Sequence, residues 1–153
     1  MNKKTFLRGF SLIELMIVVS ILAFLSMLVI PHLSHFLAKS KRTEAYINLR
    51  SLYMAQKAYW LEHGSYTQQL AGPDSLGWKP EGVVCYSYGF GGSEGVNNVI
   101  GSLKTPSSAL APATAGSDSF IIAAAGDIDG DGTPDVLTID QSGIIKIVTD
   151  DLA

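Results

Sequence analysis

The chain has 153 residues, of which 47% are hydrophobic and 16% are charged, and its formal net charge is −3. This composition excludes a wholly disordered chain, and the acidic balance excludes a generally basic nucleic-acid-binding surface. The single cysteine, Cys85, excludes an intrachain disulfide and a cysteine-based zinc site.

A basic flank precedes a long apolar run at the N-terminus. Three basic residues among the first eight are followed by residues 15–38, which carry no formal charge. A helix of this length extends about 36 Å, enough to cross a bilayer core of about 30 Å. In an ordinary secretory signal the small residue at the cut follows a shorter apolar core, whereas here Gly9 precedes the run. A peptidase that cuts after Gly9 would remove the leader and retain the helix, with Phe10 as the new N-terminus.

These features resemble the prepilin motif of type IV pilins and type II secretion pseudopilins. The resemblance rests on the basic leader, on Pro31 at the twenty-second position after the small residue, and on the run Gly9-Phe10-Ser11-Leu12-Ile13-Glu14-Leu15. It implies that a prepilin peptidase in the membrane cuts between Gly9 and Phe10 and methylates the amine of Phe10. The leader, residues 1–9, would lie in the cytoplasm before its removal.

Glu14 is the only formal charge between Arg8 and Lys39. An unpaired carboxylate inside a membrane-spanning helix costs about 2.5–3.5 kcal/mol. Cleavage would supply a cation, because an α-amine such as that of Phe10 has an unperturbed pKa of about 8. The resemblance implies that Glu14 meets the Phe10 amine of a neighbouring subunit and sets the register of assembly. A carboxylate tolerated near the headgroups of an ordinary signal anchor is the alternative.

The apolar segment 10–37 is predicted to be a transmembrane or filament-core helix. Pro31 lacks a backbone donor, which predicts a kink or irregular turn over residues 27–31. Residues 38–63 continue the helix with an apolar stripe, and Gly64 is the expected stop. The stripe consists of Ala45, Leu49, Leu52, Gln56 and Tyr59, with Ala55 and Ala58 beside it. We therefore expect one long helix whose second half packs on a small head domain.

Residues 64–153 are predicted to form a β-rich globular head. Strands are expected at residues 83–90, 96–103, 119–125, 136–140 and 144–149. The last two are joined by a short hairpin loop with Gly143 at positive φ. Segment 104–117, rich in Pro, Ala, Ser and Thr, predicts an exposed loop. A long helix followed by an antiparallel sheet predicts an α+β fold, which resembles the pilin fold.

An acidic loop at residues 127–135 has the spacing of a calcium site. Asp at positions 1, 3 and 5, Gly at 6 and a backbone carbonyl at 7 match the start of an oxygen cage for calcium. Position 12 is Thr138 rather than the Glu of an EF-hand, so a further ligand such as Asp140 or Asp118 is needed. The predicted ligands of this structural calcium are Asp127, Asp129, Asp131, Thr133 and Asp135. A tight, solvated turn is the alternative.

The sequence shows no catalytic cluster, so we do not expect an enzyme. The resemblance implies a structural subunit of a bacterial type IV pilus, held in the inner membrane with its head outside the cytoplasm. Copies of the chain would then polymerise at an inner-membrane assembly platform into an extracellular filament for adhesion, twitching motility or DNA uptake, although no motif indicates DNA binding itself. The alternatives are a pseudopilin of a type II secretion system and, from another class, a membrane-anchored calcium-dependent binding module that does not polymerise.

Overall fold

A computed structural model describes residues 9–152 of the chain, with the backbone alone described at Pro31 and Ser34. The chain divides into two compact units, one ending at His35 and one beginning at Phe36. Most of the predicted leader and the side chain of Pro31 therefore lie outside the described residues. The helical conformation continues through residues 27–31, and the predicted kink stays a prediction.

The first unit contains the start of a long helix, α1 (Leu12–His63). Every side chain described between Gly9 and His35 is exposed. The hydroxyls of Ser20 and Ser26 donate to backbone carbonyls one turn earlier, at 2.8 and 2.7 Å. These bonds satisfy the hydroxyls of both serines within the helix itself. By length and composition α1 is a candidate membrane span.

In the second unit α1 buries one stripe, as predicted. Four of the predicted stripe residues are fully buried: Ala45, Leu49, Leu52 and Gln56. Burial weakens toward the end of the helix, where Ala55 and Tyr59 are half-buried and Ala58 is exposed. The helix ends at His63, and Gly64 takes a φ of +70°. The predicted stop at Gly64 is confirmed, because glycine adopts this left-handed conformation without steric cost.

An antiparallel sheet packs on this stripe. Its strands are β1 (Ser87–Gly89), β2 (Asn98–Val99), β3 (Thr114–Ala115), β4 (Phe120–Gly126), β5 (Asp135–Asp140) and β6 (Ile145–Thr149). The order across the sheet is β2-β1-β4-β5-β6, and β3 also pairs with β4. The α+β fold and the five predicted strand positions are confirmed, and Gly143 in the β5–β6 loop has a φ of +78°.

The first two strands are much shorter than predicted because side chains replace part of the ladder. The backbone N–H of Cys85 donates to the carboxylate of Glu44 on α1, at 2.9 and 3.0 Å, instead of to a strand. The amide of Asn98 donates to the carbonyl of Phe90 at 2.9 Å. Regular ladder pairing between the two predicted strands is confined to Ser87–Gly89 and Asn98–Val99, although single backbone hydrogen bonds also join their ends.

The two faces of the sheet have separate cores. On the α1 side, four large aromatic side chains are fully buried: Tyr86, Tyr88, Phe90 and Phe120. On the other side, Leu110 packs with Ala123, Ala125 and Val136. Leu110 ends a short 3-10 helix, Ser107–Leu110.

The prediction that residues 104–117 form an exposed loop is partly wrong. The segment contains the 3-10 helix and β3, and Leu110 is fully buried. The small side chains of β4 leave a shallow apolar surface on the outer face of the sheet, and one leucine is enough to cover it. A single buried leucine has no periodicity, so the sequence pattern gave no signal.

Candidate functional sites

The predicted processing and assembly residues lie at the start of α1. Gly9 and Phe10 precede the helix, and Phe10 is 74% exposed. Ser11 caps the helix, because its Oγ accepts the backbone N–H of Glu14 at 3.2 Å. This pair has the Ser-x-x-Glu spacing of a capping box. Cleavage after Gly9, methylation of Phe10 and the register role of Glu14 stay predictions.

Glu14 has a local partner but no cation within the described part of this copy. Its Oε2 lies 3.5 Å from the hydroxyl of Ser11, at the limit of a hydrogen bond. Among residues 9–152, no ion pair involves Glu14. The carboxylate is exposed on the helix surface, where a cation from a second copy has access to it.

The acidic loop between β4 and β5 is folded around its own carboxylates. Asp127 accepts the backbone N–H groups of Gly130 and Gly132, at 2.7 and 3.0 Å. Asp129 and Asp131 each accept the N–H two residues further on, at 3.0 and 2.7 Å. These are Asx turns, in which the side chain imitates a backbone turn. They orient three successive carboxylates in one tight loop.

A fourth carboxylate comes from the C-terminal end of the chain. Asp151 is 9% exposed, and its Oδ2 accepts the N–H of Ile128 at 2.9 Å. One oxygen from each of four aspartates lies within 4.8 Å of all the others: Asp127, Asp129, Asp131 and Asp151. Opposite oxygen ligands of calcium, each about 2.4 Å from the ion, are about 4.8 Å apart. The four oxygens therefore fit one calcium ion.

Asp151 carries the electrostatic signature of crowded carboxylates. Burial raises the pKa of its carboxyl group, and the charges of Asp129 and Asp131 raise it further, whereas the hydrogen bond from Ile128 lowers it. A cation among the four oxygens would reverse the repulsion. One feature of the sequence could have drawn attention to Asp151, namely the Asp150-Asp151 pair directly after the last strand.

Asp135, also predicted as a calcium ligand, lies outside the group of four carboxylates and belongs to a different network. Asp135 is fully buried and accepts hydrogen bonds from both Nε and a terminal nitrogen of Arg42, at 2.9 and 2.7 Å. The hydroxyl of Tyr86 also donates to it, at 2.6 Å. Asp135 is the first residue of β5 and contacts Arg42 of α1, whereas residues 129–133 of the loop before it are exposed.

The structure also shows where the other predicted ligands lie. Thr133 lies in the acidic loop, where its N–H donates to Asp131, and its carbonyl stays a predicted ligand. Asp140 instead accepts the N–H of Ser142 at 3.0 Å, and Asp118 accepts the hydroxyl of Ser117 at 3.0 Å. Neither of the two belongs to the group of four. The carboxylate that joins this group from elsewhere in the chain is that of Asp151.

Arg42 connects α1 to this end of the head. It bonds to Asp135 and Asp150, and although burial lowers the pKa of its guanidinium, these two carboxylates raise it well above its ordinary value. The hydrogen bond from Arg42 lowers the pKa of Asp150. One position earlier, Lys41 donates to the carbonyl of Ile128 at 2.9 Å. Nothing in the local sequence distinguishes Lys41 and Arg42 from the other basic residues of α1.

Comparison with known proteins agrees with these features. Residues 8–30 match the family model described as the prokaryotic N-terminal methylation motif. The chain is 38% identical over 127 residues to the type IV major pilin protein PilA of Myxococcus xanthus (strain DK1622), an alignment that covers 83% of this chain and 56% of that protein. The chain therefore spans about half the length of the relative that it matches.

The fold and the N-terminal motif together define a class of protein: an α+β protein whose apolar N-terminal helix suits membrane anchoring and carries a methylation motif. The similarity to a major pilin narrows this class to one family. The chain belongs to the type IV pilin family.

Proposed function

We propose that the chain is a structural subunit of a bacterial type IV pilus. The first part of α1 holds it in the inner membrane, and prepilin peptidase cuts after Gly9 and methylates Phe10. The inner-membrane assembly platform then adds it to a filament of identical copies that extends outside the cell. The observation that carries this proposal is the exposed apolar surface of α1 between Leu12 and His35, most of which lies within the methylation motif.

The apolar surface of α1 explains how one segment serves two environments. In lipid, its side chains contact acyl chains, and its hydroxyls are bonded within the helix. In a bundle of identical helices the same side chains are again kept from water, so transfer from lipid to filament does not expose them. Glu14 is the exception, and pairing with the Phe10 amine of a neighbour would neutralise it.

The pilus subunit is favoured over the two alternatives. The relative that the chain matches is named a major pilin, not a secretion pseudopilin. A membrane-anchored module that does not polymerise would have no use for cleavage before the helix, and it predicts that residues 1–9 are retained. The proposal assigns to the filament one of three tasks: adhesion, twitching motility or DNA uptake.

Mass spectrometry of the full chain, expressed in a host with prepilin peptidase and a pilus assembly platform, tests the proposal. We expect a mature chain that begins at methylated Phe10 and that is recovered in sheared filaments. The variant Glu14→Ala should be cleaved but absent from filaments, whereas Glu62→Ala, an exposed glutamate at the end of α1, should assemble normally. A mature protein that retains residues 1–9 would contradict the proposal.

We also propose that the acidic loop holds a structural calcium ion. Its carboxylate ligands would be Asp127, Asp129, Asp131 and Asp151, with the carbonyl of Thr133 beside them. The support is the fit of four hard oxygen ligands to the size of calcium. The ion would join the β4–β5 loop to the C-terminal residues, a role that a disulfide cannot serve in a chain with one cysteine.

Thermal unfolding of the mature protein in detergent, with calcium chloride or with chelator, tests the calcium site. A hundredfold excess of calcium over its dissociation constant should add about 2.7 kcal/mol of stability. Asp131→Asn should remove most of this gain, and Asp118→Asn, outside the group, should keep it. Equal melting temperatures with calcium and with chelator would contradict the site.

A further inference from the structure

One flank of α1 in the second unit alternates aromatic and basic side chains. Its residues are Tyr46, Arg50, Tyr53, Lys57 and Trp60. Steps of four and three residues keep all five on one face of the helix. The row extends over about 21 Å of helix, and each of its side chains is exposed or half-buried. We refer to these five residues as the α1 stripe.

The two cations of the α1 stripe have no acidic partner within the described chain. Among residues 9–152, no ion pair involves Arg50 or Lys57. Arg50 donates to the carbonyl of Gly143 at 2.9 Å, a bond that uses one of the five N–H groups of its guanidinium. The carboxylate at the start of that loop, Asp140, pairs with Lys146 instead. The stripe is therefore a local positive surface on an acidic chain.

Aromatic rings hold the ammonium of Lys57 in place. Its Nζ lies 5.5 Å from the ring centroid of Tyr53 and 5.6 Å from that of Tyr66. It also donates to the hydroxyl of Tyr66 at 3.2 Å. Contacts between a cation and aromatic rings position the ammonium without neutralising its charge. The charge of Lys57 is therefore available to an external anion.

The end of the α1 stripe presents an aromatic surface. Trp60 is 41% exposed, and its ring stacks on that of Tyr66, with centroids 6.3 Å apart and an angle of 27° between the planes. Tyr66 in turn contacts the fully buried Phe120 edge to face, at 4.7 Å between centroids. The indole of Trp60 is therefore supported on one side, and its exposed part can stack on a flat ligand.

Rings that alternate with cations fit a ligand that alternates flat groups with anions. Single-stranded nucleic acid is such a ligand, because its bases stack on aromatic side chains and its phosphates pair with Arg and Lys. The bases of a duplex are already stacked on one another. An acidic polysaccharide fits less well, because its hydroxyls would meet no carboxylate or amide on the α1 stripe.

We propose that the α1 stripe binds single-stranded DNA. Bases stack on Trp60 and Tyr46, and phosphates pair with Arg50 and Lys57. The stripe lies in the second unit, apart from the segment through which copies are proposed to pack. The inference therefore goes beyond the proposed pilus function and does not depend on it.

Fluorescence anisotropy of a labelled oligothymidylate, about 16 nucleotides long, tests the stacking with the chain purified in detergent. Trp60→Ala should weaken binding by about 5- to 150-fold, the effect of losing one stacked base. Trp60→Tyr should restore most of the affinity. Leu61→Ala removes a neighbouring side chain that is 78% exposed and lies off the stripe, and it should bind like the parent. Equal affinities of the parent and Trp60→Ala would contradict the stacking.

The salt dependence tests the phosphate contacts separately. Two contacts to a single strand predict that the affinity falls about sevenfold between roughly 50 and 200 mM salt. Lys57→Gln should bind more weakly, and its affinity should depend about half as steeply on salt. An affinity of Lys57→Gln that falls as steeply with salt as that of the parent would contradict the contact of Lys57 with a phosphate.

Other ligands and the filament supply the remaining outcomes. A duplex or polygalacturonate that binds as tightly as oligothymidylate would contradict the assignment to single-stranded DNA. No carboxylate or amide of the stripe can read a 2′-hydroxyl, so tighter binding of oligouridylate would overturn the choice of DNA. Binding without filaments supports the stripe and contradicts the pilus function. Filaments without binding contradict the stripe and leave the pilus function standing.

Discussion

The two units of the chain use the same kind of side chain in opposite ways. In the first unit Leu22 is 58% exposed, whereas in the second Leu49, on the same helix, is fully buried. The second unit covers Leu49 with its own sheet. The described part of this copy does not cover those of the first, so we attribute their cover to lipid or to other copies. The comparison teaches that one helix serves folding in its second part and is left free in its first part for the proposed assembly.

The largest expected loss of stability comes from breaking a buried ion pair that joins α1 to the sheet of the head. Arg42→Ala leaves the fully buried carboxylate of Asp135 without its cation, and loss of one partner of a buried pair costs about 3–5 kcal/mol. Thermal unfolding of the mature protein in detergent should show this loss. Lys146→Ala, which breaks an exposed pair, should cost less than about 1 kcal/mol. Equal effects of the two variants would contradict the importance of the buried pair.

A matched leucine substitution addresses the comparison directly. Leu49→Ala should destabilise the head by about 2–5 kcal/mol, because it opens a cavity in a packed core. Leu22→Ala should leave the melting temperature of the head unchanged and reduce filament yield instead. Melting curves and sheared-filament yields of both variants check this. If Leu22→Ala lowers the melting temperature as much as Leu49→Ala, the division of roles is wrong.

Glycine substitutions test how tightly the head is packed. A Cβ added at Gly101 would lie 2.2 Å from the carbonyl oxygens of Cys85 and Tyr86, whereas at Gly116 it would meet no atom within 4 Å. Gly101→Ala should therefore cost about 1–3 kcal/mol of stability through overpacking. Gly116→Ala should be close to neutral. Denaturant unfolding of both variants measures the difference, and a neutral Gly101→Ala would mean that the backbone there yields.

The smallest effect concerns charge, of which the apolar segment 10–37 carries only Glu14. Folding raises the pKa of Asp151. Without calcium, its carboxyl group therefore stabilises the folded protein at pH values below the pKa that it has in the unfolded chain. This stabilisation is lost as the pH rises through the pKa that it has in the folded protein. Asp151→Asn should therefore raise the melting temperature slightly in chelator at neutral pH and lower it in calcium. Melting curves at pH 4 and pH 7 check the sign. A variant less stable than the parent in chelator at neutral pH would contradict the repulsion.

Sequence reasoning predicted the features that have a periodic or local signal. The apolar run, the stripe from Ala45 to Gln56 and the stop at Gly64 follow helical spacing, and the strands around β4 and β5 follow their apolar composition. The acidic loop was visible because its aspartates alternate with small residues.

The missed features depend on contacts distant in sequence. Asp135 has the spacing of a loop ligand, but its partner is Arg42, 93 residues away along the chain. Asp151 joins the acidic loop only because β6 returns the chain to it. Leu110 is buried because β4 presents alanines on its outer face. Such pairings are set by the packing of the whole head, which no local pattern contains.

Because Leu110 covers the outer face of the sheet, it also limits where a foreign peptide can be inserted into the head. Residues 107–110 pack on the outer face of the sheet through Leu110, so an inserted epitope there would uncover Ala123 and Ala125. Residues 91–95 are exposed throughout and join two short strands. Loop tips of this kind tolerate insertion. A filament that displays a peptide on every subunit should therefore be built from the 91–95 loop, and the proline-containing segment, despite its composition, should be left intact.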